Sequence, residues 1–552
     1  MNYARHIAPR STPQSEPLFG QNQVQNSAGG YVYALDAWKR LDRFLILGSE
    51  GGTYYVGEHE LTRDNATVVN QCYAQDYRRT VQRIVDVSVA GRAPKNDPAI
   101  FALALGTTQA NPEARKAAFE AMPAVCRTGT HLFQFAAACD ALRGWGRGLR
   151  NAVATWYDGM PTGKLAYQAV KYRQRNGWTH RDLLRLAHPK AEGERNAIYN
   201  WIVKGWDAVS PKVPAYEGMR LVWAFESAQR AESEAEIVRL ITDYHLPWEA
   251  VDNKWLKSAT VWEALLPHMP LTALIRNLGR MTANGLIAPF SDATRTVVEK
   301  LADGEHLRAS RVHPMAVLVA LKTYAQGQGV KGSLKWNPER KIVDALDGAF
   351  YAAFGNVTPC NKRMVLGLDV SGSMSSPMMG SPLTCREAVA ALALVTARTE
   401  PEYHLLAFSH TLVPVDISPR ERLDDVLRKM DAIPMGNTDC ALPMLWALGQ
   451  QYQRDSYWDR GSRLVPTRTG FIKGVEGFIV LTDNETWFGA THPSAAINAY
   501  RQKAGLNSKL VVVGMTSTGF SIAPQDDSAC LDVVGMDTAT PQLISDFIAD
   551  RL

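Results

Sequence analysis

Asp369, Ser371 and Ser373 stand as Asp-x-Ser-x-Ser, three short oxygen-bearing side chains within five positions. On a tight turn they can offer oxygens to one hard cation such as Mg2+, which prefers an octahedron of oxygens and needs neither thiolate nor imidazole. Two further stretches carry the same kind of group, Asn437-Thr438-Asp439 and Thr482-Asp483. A second chemistry is concentrated between Lys164 and Lys190, where seven Lys or Arg residues, His180 and His188 face one acid, Asp182. Lys171 and Arg175 are four apart, as are Arg181 and Arg185, a spacing that puts each pair on one face if the backbone is helical. Cations one helical turn apart can follow a phosphate backbone. Arginine adds planar bidentate contacts and can stack on bases, and histidine can hydrogen-bond to either. A solvated helix face is the alternative for this run, as N-caps and turns are for the Asp, Ser and Thr loops.

These groups need elements to hold them. Met364 to Leu368 is an apolar run without polar alternation, as expected of a parallel strand covered on both faces, and it ends at Asp369. Thr384 then offers an N-cap with Glu387 three residues on, opening an alanine-rich helix. Asn437-Thr438-Asp439 opens another helix, and the apolar run Gly477 to Leu481 ends in Thr482-Asp483. All three loops therefore sit at strand-to-helix turns, on the carboxyl edge of a doubly wound sheet, where ligands bind.

Upstream the texture differs. Asp36 to Leu47 has apolar residues at helical spacing and stops at Gly48. Similar segments follow at Pro98–Leu105, Pro112–Ala121, Leu132–Leu142, Lys164–Arg175, Arg220–Ala231, Leu271–Met281 and Pro314–Tyr324. Strand alternation is nearly absent, and short helices joined by short turns suit a solenoid of degenerate helical pairs. Asn176-Gly177-Trp178 reads as a turn between two helices, with Trp178 packing. Residues 1–30 are polar with several Pro and Gly, an arm that orders only if it docks elsewhere.

Composition narrows the class. A chain of 552 residues, 46% apolar and 21% charged, reads as globular with two or more domains. A formal charge of +5 is small for the length, so a nucleic-acid role would need local basic patches. Seven cysteines without a Cys-x-x-Cys pair argue against a disulfide framework or zinc ribbon. With no membrane span and no signal peptide, the expected compartment is the cytoplasm.

With Asp369, Ser371, Ser373, Thr438 and Asp483 in hand, the C-terminal part resembles a von Willebrand factor A domain with a metal-ion-dependent adhesion site. In that family the first loop gives the aspartate and two serines, the second the threonine and the third the aspartate. The resemblance implies a divalent cation, Mg2+ or another, with one position open to a partner's oxygen. Five separated blocks widen the likeness: SEGGTYY (Ser49 to Tyr55), KYRQRNGWTHRDLLRLAH (Lys171 to His188), PLTALIRNLGRMTANG (Pro270 to Gly285), LKWNP (Leu334 to Pro338) and TDNETWFGATHP (Thr482 to Pro493). In this order they resemble the Ro 60 kDa autoantigen family and its bacterial orthologues, whose helical part is the TROVE domain.

The resemblance implies an α-helical HEAT-like repeat ring plus an α/β doubly wound, Rossmann-like von Willebrand factor A domain. The expected boundaries are an arm at 1–30, the helical ring at 31–360 and the A domain at 361–552. It implies a non-enzymatic protein of RNA quality control, binding small noncoding Y-type RNA outside the ring and single-stranded ends of misfolded RNA within it. The outer site maps onto Lys171, Arg175 and His188, beside Arg181 and Arg185. Arg276, Arg280 and Asn284 are the candidates for the interior. Bacterial members work with the exoribonuclease polynucleotide phosphorylase, so that partner is implied too, although no residue pattern here marks its contact. The reading is of a monomer that uses no membrane.

One stretch departs from the family, RDSYWDRGSRLVPTRTGFIKG from Arg454 to Gly474, with Arg454, Arg460, Arg463, Arg468 and Lys473 against Asp455 and Asp459. It reads as a surface insertion, with an added RNA or protein contact as the other possibility. A competing function is a metal-dependent protein-adhesion scaffold with RNA binding incidental. A metal nuclease finds no support, since the metal loops have no second acidic pair or poised histidine beside them.

Overall fold

A computed structural model describes residues 11–48, 66–209, 216–310, 312–329, 333–354, 357–378, 383–454, 459, 463–516, 518–537 and 539–551. The Ser49–Tyr55 block, Asp455, Arg460 and residues 1–10 lie outside these. The chain divides into two compact units, one formed by Met1–Asn65 with Phe354–Leu552 and the other by Ala66–Ala353.

The first unit is built on a six-stranded sheet. Its order across the sheet is Cys530–Val534, Lys509–Gly514, Gly477–Thr482, Met364–Asp369, Tyr403–Phe408 and Leu412–Pro414, parallel throughout except for the last strand. Met364–Asp369 and Gly477–Thr482 are buried along their whole length, which is why neither shows polar alternation. They are neighbours, with Met364 opposite Gly477 and Leu368 opposite Leu481. From the first the chain proceeds outward to Tyr403–Phe408, and from the second it proceeds the other way to Lys509–Gly514. The two strands thus flank the point where strand order reverses, and Asp369 and Asp483 stand at their carboxyl ends. The helix after the first loop, Cys385–Thr399, has the capping box read from sequence: the Thr384 hydroxyl accepts from the Glu387 N–H, and the Glu387 carboxylate accepts from the Thr384 N–H.

The N-terminal segment belongs to this unit. Tyr31–Ala34 pairs with Gln23–Gln25 on one side and Phe520–Ser521 on the other in a three-stranded antiparallel sheet. The helix Ala37–Leu47, capped by Asp36 and by Gly48 in the left-handed region, packs on the edge strand Cys530–Val534. Arg43 fixes it there. Its buried guanidinium bonds both Asp532 oxygens at 2.8 and 2.9 Å and the Thr518 carbonyl at 2.8 Å. The sequence reading places this helix in the repeat domain, because its periodicity matches the later helices. What separates it is a charged partner 489 residues away.

The second unit is helical from Thr67–Ala90 to Arg340–Ala352. Helices pack mainly on those one to three places along, as Asp97–Gly106 does on Gly129–Arg143 and Arg147–Asp158 on His180–Ala187, the local pattern of a solenoid. Observed helices match the expected segments to within a few residues, with one difference of consequence. The helix expected to reach Arg175 ends at Lys171. Gln174–Arg175 and Trp178–Thr179 form a two-residue hairpin instead, with Asn176 and Gly177 both at positive φ, 51° and 78°. Asn-Gly suits a turn that needs two positive φ angles, and the hairpin pulls the chain out of the helix. Among the described residues no helix is long and apolar enough to cross a membrane, and all seven cysteines are free.

Candidate functional site

Asp369, Ser371, Ser373, Thr438 and Asp483 are all buried at the carboxyl edge of the sheet. Asp369 Oδ1 accepts the Ser371 N–H at 2.9 Å, its Oδ2 accepts the Thr482 hydroxyl at 2.6 Å, and the Ser371 and Ser373 hydroxyls are 3.0 Å apart. Asp483 Oδ1 accepts the Glu485 N–H at 3.0 Å. The second loop joins them through its backbone, since the Thr438 carbonyl accepts the Trp487 and Phe488 N–H groups, and the Gly372 N–H donates to the Gly436 carbonyl.

Burial, followed by the neighbouring Asp483 charge, pushes the Asp369 carboxyl up to about 7 against hydrogen bonds from Ser371 and Thr482. Burial raises Asp483 as well. Asp483 Oδ2 is buried and has no hydrogen-bond partner among the described residues. Two buried carboxylates with an acceptor oxygen left over fit a hard cation, with Ser371, Ser373 and Thr438 able to add neutral oxygens. Among the described residues no group of three His, Cys, Asp or Glu could hold a metal, so a cation here would rest on this mixed oxygen set.

The sequence reading missed how the N-terminal segment braces these loops. Gln14 is fully buried. Its Nε2 donates to Asp439 Oδ1 and to the Thr491 carbonyl, both at 2.8 Å, and its Oε1 accepts the Thr486 hydroxyl. Asn26 donates to the Thr486 carbonyl at 2.8 Å, and Glu485 accepts the Ala28 N–H at 3.0 Å. A lone glutamine in a proline-rich arm carries no local signal for this role. Arg454, read as part of a surface insertion, turns inward. Its Nη2 lies 3.3 Å from Asp439 Oδ2, and its guanidinium is 4.9 and 5.1 Å from the Tyr452 and Phe488 ring centres. Burial lifts Asp439 to about 6 despite this arginine. Arg463, Arg468 and Lys473 are exposed, and Gln450–Gln453 pairs with Arg463–Pro466 as a hairpin.

In the helical unit the basic residues separate into two kinds. Arg175, Arg181, Arg185 and His188 are exposed, and none forms an ion pair with another described residue. Arg181 and Arg185 keep their shared helical face on His180–Ala187, and His188 caps that helix at φ 50°. The helix is well anchored. Thr179 and Asp182 form its capping box, and the buried His180 Nδ1 meets the Tyr157 hydroxyl at 2.7 Å. Burial takes the His180 imidazole down to about 4, so the anchor is neutral near pH 7. Trp178 stacks on Trp145 at 5.3 Å, which confirms packing.

Lys171 behaves differently. It shares no helical face with Arg175, because the hairpin intervenes, and its side chain is only 9% exposed. Its ammonium bonds the Tyr167 hydroxyl at 3.2 Å and lies 3.8 Å from Glu249 Oε1. Arg276 and Arg280 lie one turn apart on the helix Leu271–Ala283, with Arg276 exposed and Arg280 half-buried. Asn284 caps that helix, and its Nδ2 donates to the Leu256 carbonyl at 3.0 Å, so its amide is already engaged.

Comparison with known proteins converges on one group. Residues 24–323 match the TROVE domain family, and residues 363–458 with 472–548 match the Ro60 vWA domain. The gap in the second match falls in the departing stretch, and the first match begins within the segment that packs on the sheet unit. The chain is 41% identical over 551 residues to the "RNA-binding protein RO60" of Deinococcus radiodurans, covering 99% of each. It is 34% identical over 620 residues to the protein of that name in Caenorhabditis elegans, covering 98% of this chain and 92% of the relative. The crystal structure of the Deinococcus radiodurans RO (RSR) protein superimposes with a TM-score of 0.69 at 40% identity, over 94% of this chain and 100% of the other.

Proposed function

The chain belongs to the Ro60 family of TROVE-domain proteins, and from that premise we propose that it binds RNA through cations of its helical unit and acts as a binder, not an enzyme. The observation that carries this reading is the exposed set Arg175, Arg181, Arg185 and His188, held on an anchored hairpin and helix without ion-pair partners among the described residues. Such a surface seeks phosphate.

The finer reading assigns this surface to a structured small noncoding RNA of the Y type. It assigns Arg276 and Arg280 to single-stranded ends of misfolded RNA, in a role in RNA quality control or processing in the cytoplasm. A degradative exoribonuclease such as polynucleotide phosphorylase is the protein partner such a role would use. The loops at Asp369, Ser371, Ser373, Thr438 and Asp483 would hold Mg2+ or a similar cation. That ion would balance the two carboxylates and leave a position for a partner's oxygen. The orphaned Asp483 Oδ2 is the observation that favours a second reading, cation-mediated protein adhesion with RNA incidental.

Two RNAs and two variants test the proposal. Arg175→Ala/Arg181→Ala/Arg185→Ala is expected to lose affinity for a structured small RNA and retain a single-stranded 3′ tail. Arg276→Ala/Arg280→Ala is expected to do the reverse. Equal losses for both RNAs in both variants would mean one shared surface. Full retention of both RNAs by both variants would remove the basic surfaces from the function.

A further inference from the structure

Between the helices Leu271–Ala283 and Asp292–Ala302, residues Ala288 to Ser291 form a turn closed by the Ser291 N–H, which donates to the Ala288 carbonyl at 3.1 Å. Pro289 takes its first central position and Phe290 its second, at φ 64°. That is the pattern of a type II turn, whose second central position suits Gly or Asn. A phenylalanine there is strained, because its Cβ crowds the backbone. The surroundings hold the turn in place. Ser291 Oγ donates to the Leu286 carbonyl at 3.1 Å and caps the following helix, and Thr294 Oγ1 donates to the Ala288 carbonyl at 2.9 Å.

The fold gives this side chain no burial in return. Its ring is 91% exposed, whereas no other large apolar side chain described in the helical unit exceeds 41%. The Lys341 ammonium stands over the ring, 5.2 Å from its centre, and leaves the opposite face to solvent. Lys341 and Arg340 open the helix Arg340–Ala352, and both are exposed and without an ion pair among the described residues. The acids beside these residues in sequence are already engaged. Asp292 pairs with Arg295 at 2.9 Å, and Glu339 caps the helix of Lys341. A protein partner would want an apolar patch around the ring, since protein interfaces bury an apolar core within roughly 800 Å2 per partner. Here the neighbours, Ser291, Asp292 and Lys341, are polar. A base of a single strand needs only an aromatic face and a cation for the phosphate beside it.

We propose that Phe290 is a stacking platform for an unpaired base of single-stranded RNA, with Arg340 and Lys341 taking the phosphates beside it. The proposal rests on the RNA-binding reading, and it extends the single-strand site beyond Arg276 and Arg280. Both stretches of chain that meet at the ring come from the helix of those arginines. Phe290 follows the end of that helix by seven residues, and Trp336, five residues before Lys341, lies against its Gly279. Every base has a π face, so the platform takes any of the four.

The test is fluorescence anisotropy of the full chain with a labelled oligouridine of about ten nucleotides, beside urea unfolding of the same variants. Phe290→Gly relieves the turn, so it is expected to raise the urea midpoint and yet weaken oligouridine binding about tenfold. An affinity lost by a more stable protein is not lost through misfolding. Phe290→Leu, apolar but without a π face, should weaken binding as much, and Phe290→Tyr should bind within about twofold of wild type. The slope of log affinity against log salt should stay unchanged in all three, whereas Lys341→Met should flatten it by about 0.7. Wild-type affinity in Phe290→Gly or Phe290→Leu overturns the platform and leaves RNA binding by the arginines standing. Failure of the wild type to bind either oligouridine or a structured RNA sinks the RNA reading and the platform with it. Self-association of the wild type that Phe290→Gly abolishes, at unchanged oligouridine affinity, would give the ring to a second copy of this chain instead.

Discussion

The carboxylate loops at the sheet edge and the arginine surface are opposites. At the sheet edge Asp369 and Asp483 are buried side by side, with hydrogen bonds from Ser371, Thr482 and the Glu485 backbone to offset their charge. In the helical unit Arg175, Arg181 and Arg185 stand in solvent without ion-pair partners among the described residues. One region is short of a cation and the other of an anion. Burial makes the first imbalance expensive, so it must be met by a bound ion or by protonation, whereas solvent makes the second cheap to keep until phosphate arrives. A buried unmet charge therefore shows itself in stability, and an exposed one shows itself in binding.

Arginines offer the sharpest way to break this contrast. Arg43, buried and paired with Asp532, should cost about 3–5 kcal/mol when changed to Ala, because the carboxylate is left unpaired in the interior. Each of Arg175→Ala, Arg181→Ala and Arg185→Ala should stay within about 0.5 kcal/mol of wild type. Denaturant unfolding of the four variants measures both. Comparable losses in all four would erase the distinction.

The next contrast is in pH. In chelator, Asp369 keeps its proton up to about 7 in the folded state but only to its ordinary value when unfolded. The folded sheet unit therefore binds more protons between these limits, and its stability falls as pH rises through the window. In the helical unit burial takes the His131 and His180 imidazoles to about 4. There the unfolded chain binds more protons between about 4 and 6.5, so stability falls as pH drops. Slopes of opposite sign are expected, each amounting to a few kcal/mol across its window. Hydrogen exchange resolved by unit, from pH 4.5 to 7, measures them, and saturating Mg2+ should flatten the slope of the sheet unit alone. Parallel slopes would contradict the assigned charge states.

A smaller effect lies in salt. If three arginines each neutralise one phosphate of a structured RNA, their joint removal should flatten the plot of log affinity against log salt by about 2.7. A loss of affinity at constant slope would point to stacking or folding instead. The smallest effect belongs to Lys171. Lys171→Met, whose ammonium is held by Tyr167 and Glu249, should change affinity for the structured RNA by less than about threefold and leave the slope unchanged. A slope reduced by about 0.9 would return Lys171 to the phosphate surface.

How much of this was legible follows from sequence distance. The strand Met364–Asp369, its loop and the Thr384–Glu387 capping box are local patterns, and each stands where the sequence reading puts it. The five loop residues come from three loops, of which those of Asp369 and Asp483 announce themselves at the end of an apolar run, whereas Asn437-Thr438-Asp439, read as a strand-to-helix turn, follows the helix Leu423–Asp431. Long-range pairings left no such trace. Gln14 meets Asp439 across 425 residues, Arg43 meets Asp532 across 489, and Lys171 meets Glu249 through folding alone. The overextended helix at Lys171–Arg175 has a different cause: charge spacing suggested a helical face, while the Asn176-Gly177 turn already required a hairpin. Read as a hairpin signal, those two residues would have separated Lys171 from Arg175.

The central claim is that RNA affinity resides in the helical unit and is independent of the cation-seeking loops. Equilibrium binding of one structured small RNA, at one salt concentration, to Asp369→Ala/Asp483→Ala and to Arg175→Ala/Arg181→Ala/Arg185→Ala tests it most directly. The account predicts that the aspartate variant, once shown to be folded, binds within about twofold of wild type, and that the arginine variant weakens by about a hundredfold. The reverse order, with the aspartate variant losing the RNA and the arginine variant keeping it, would contradict the account.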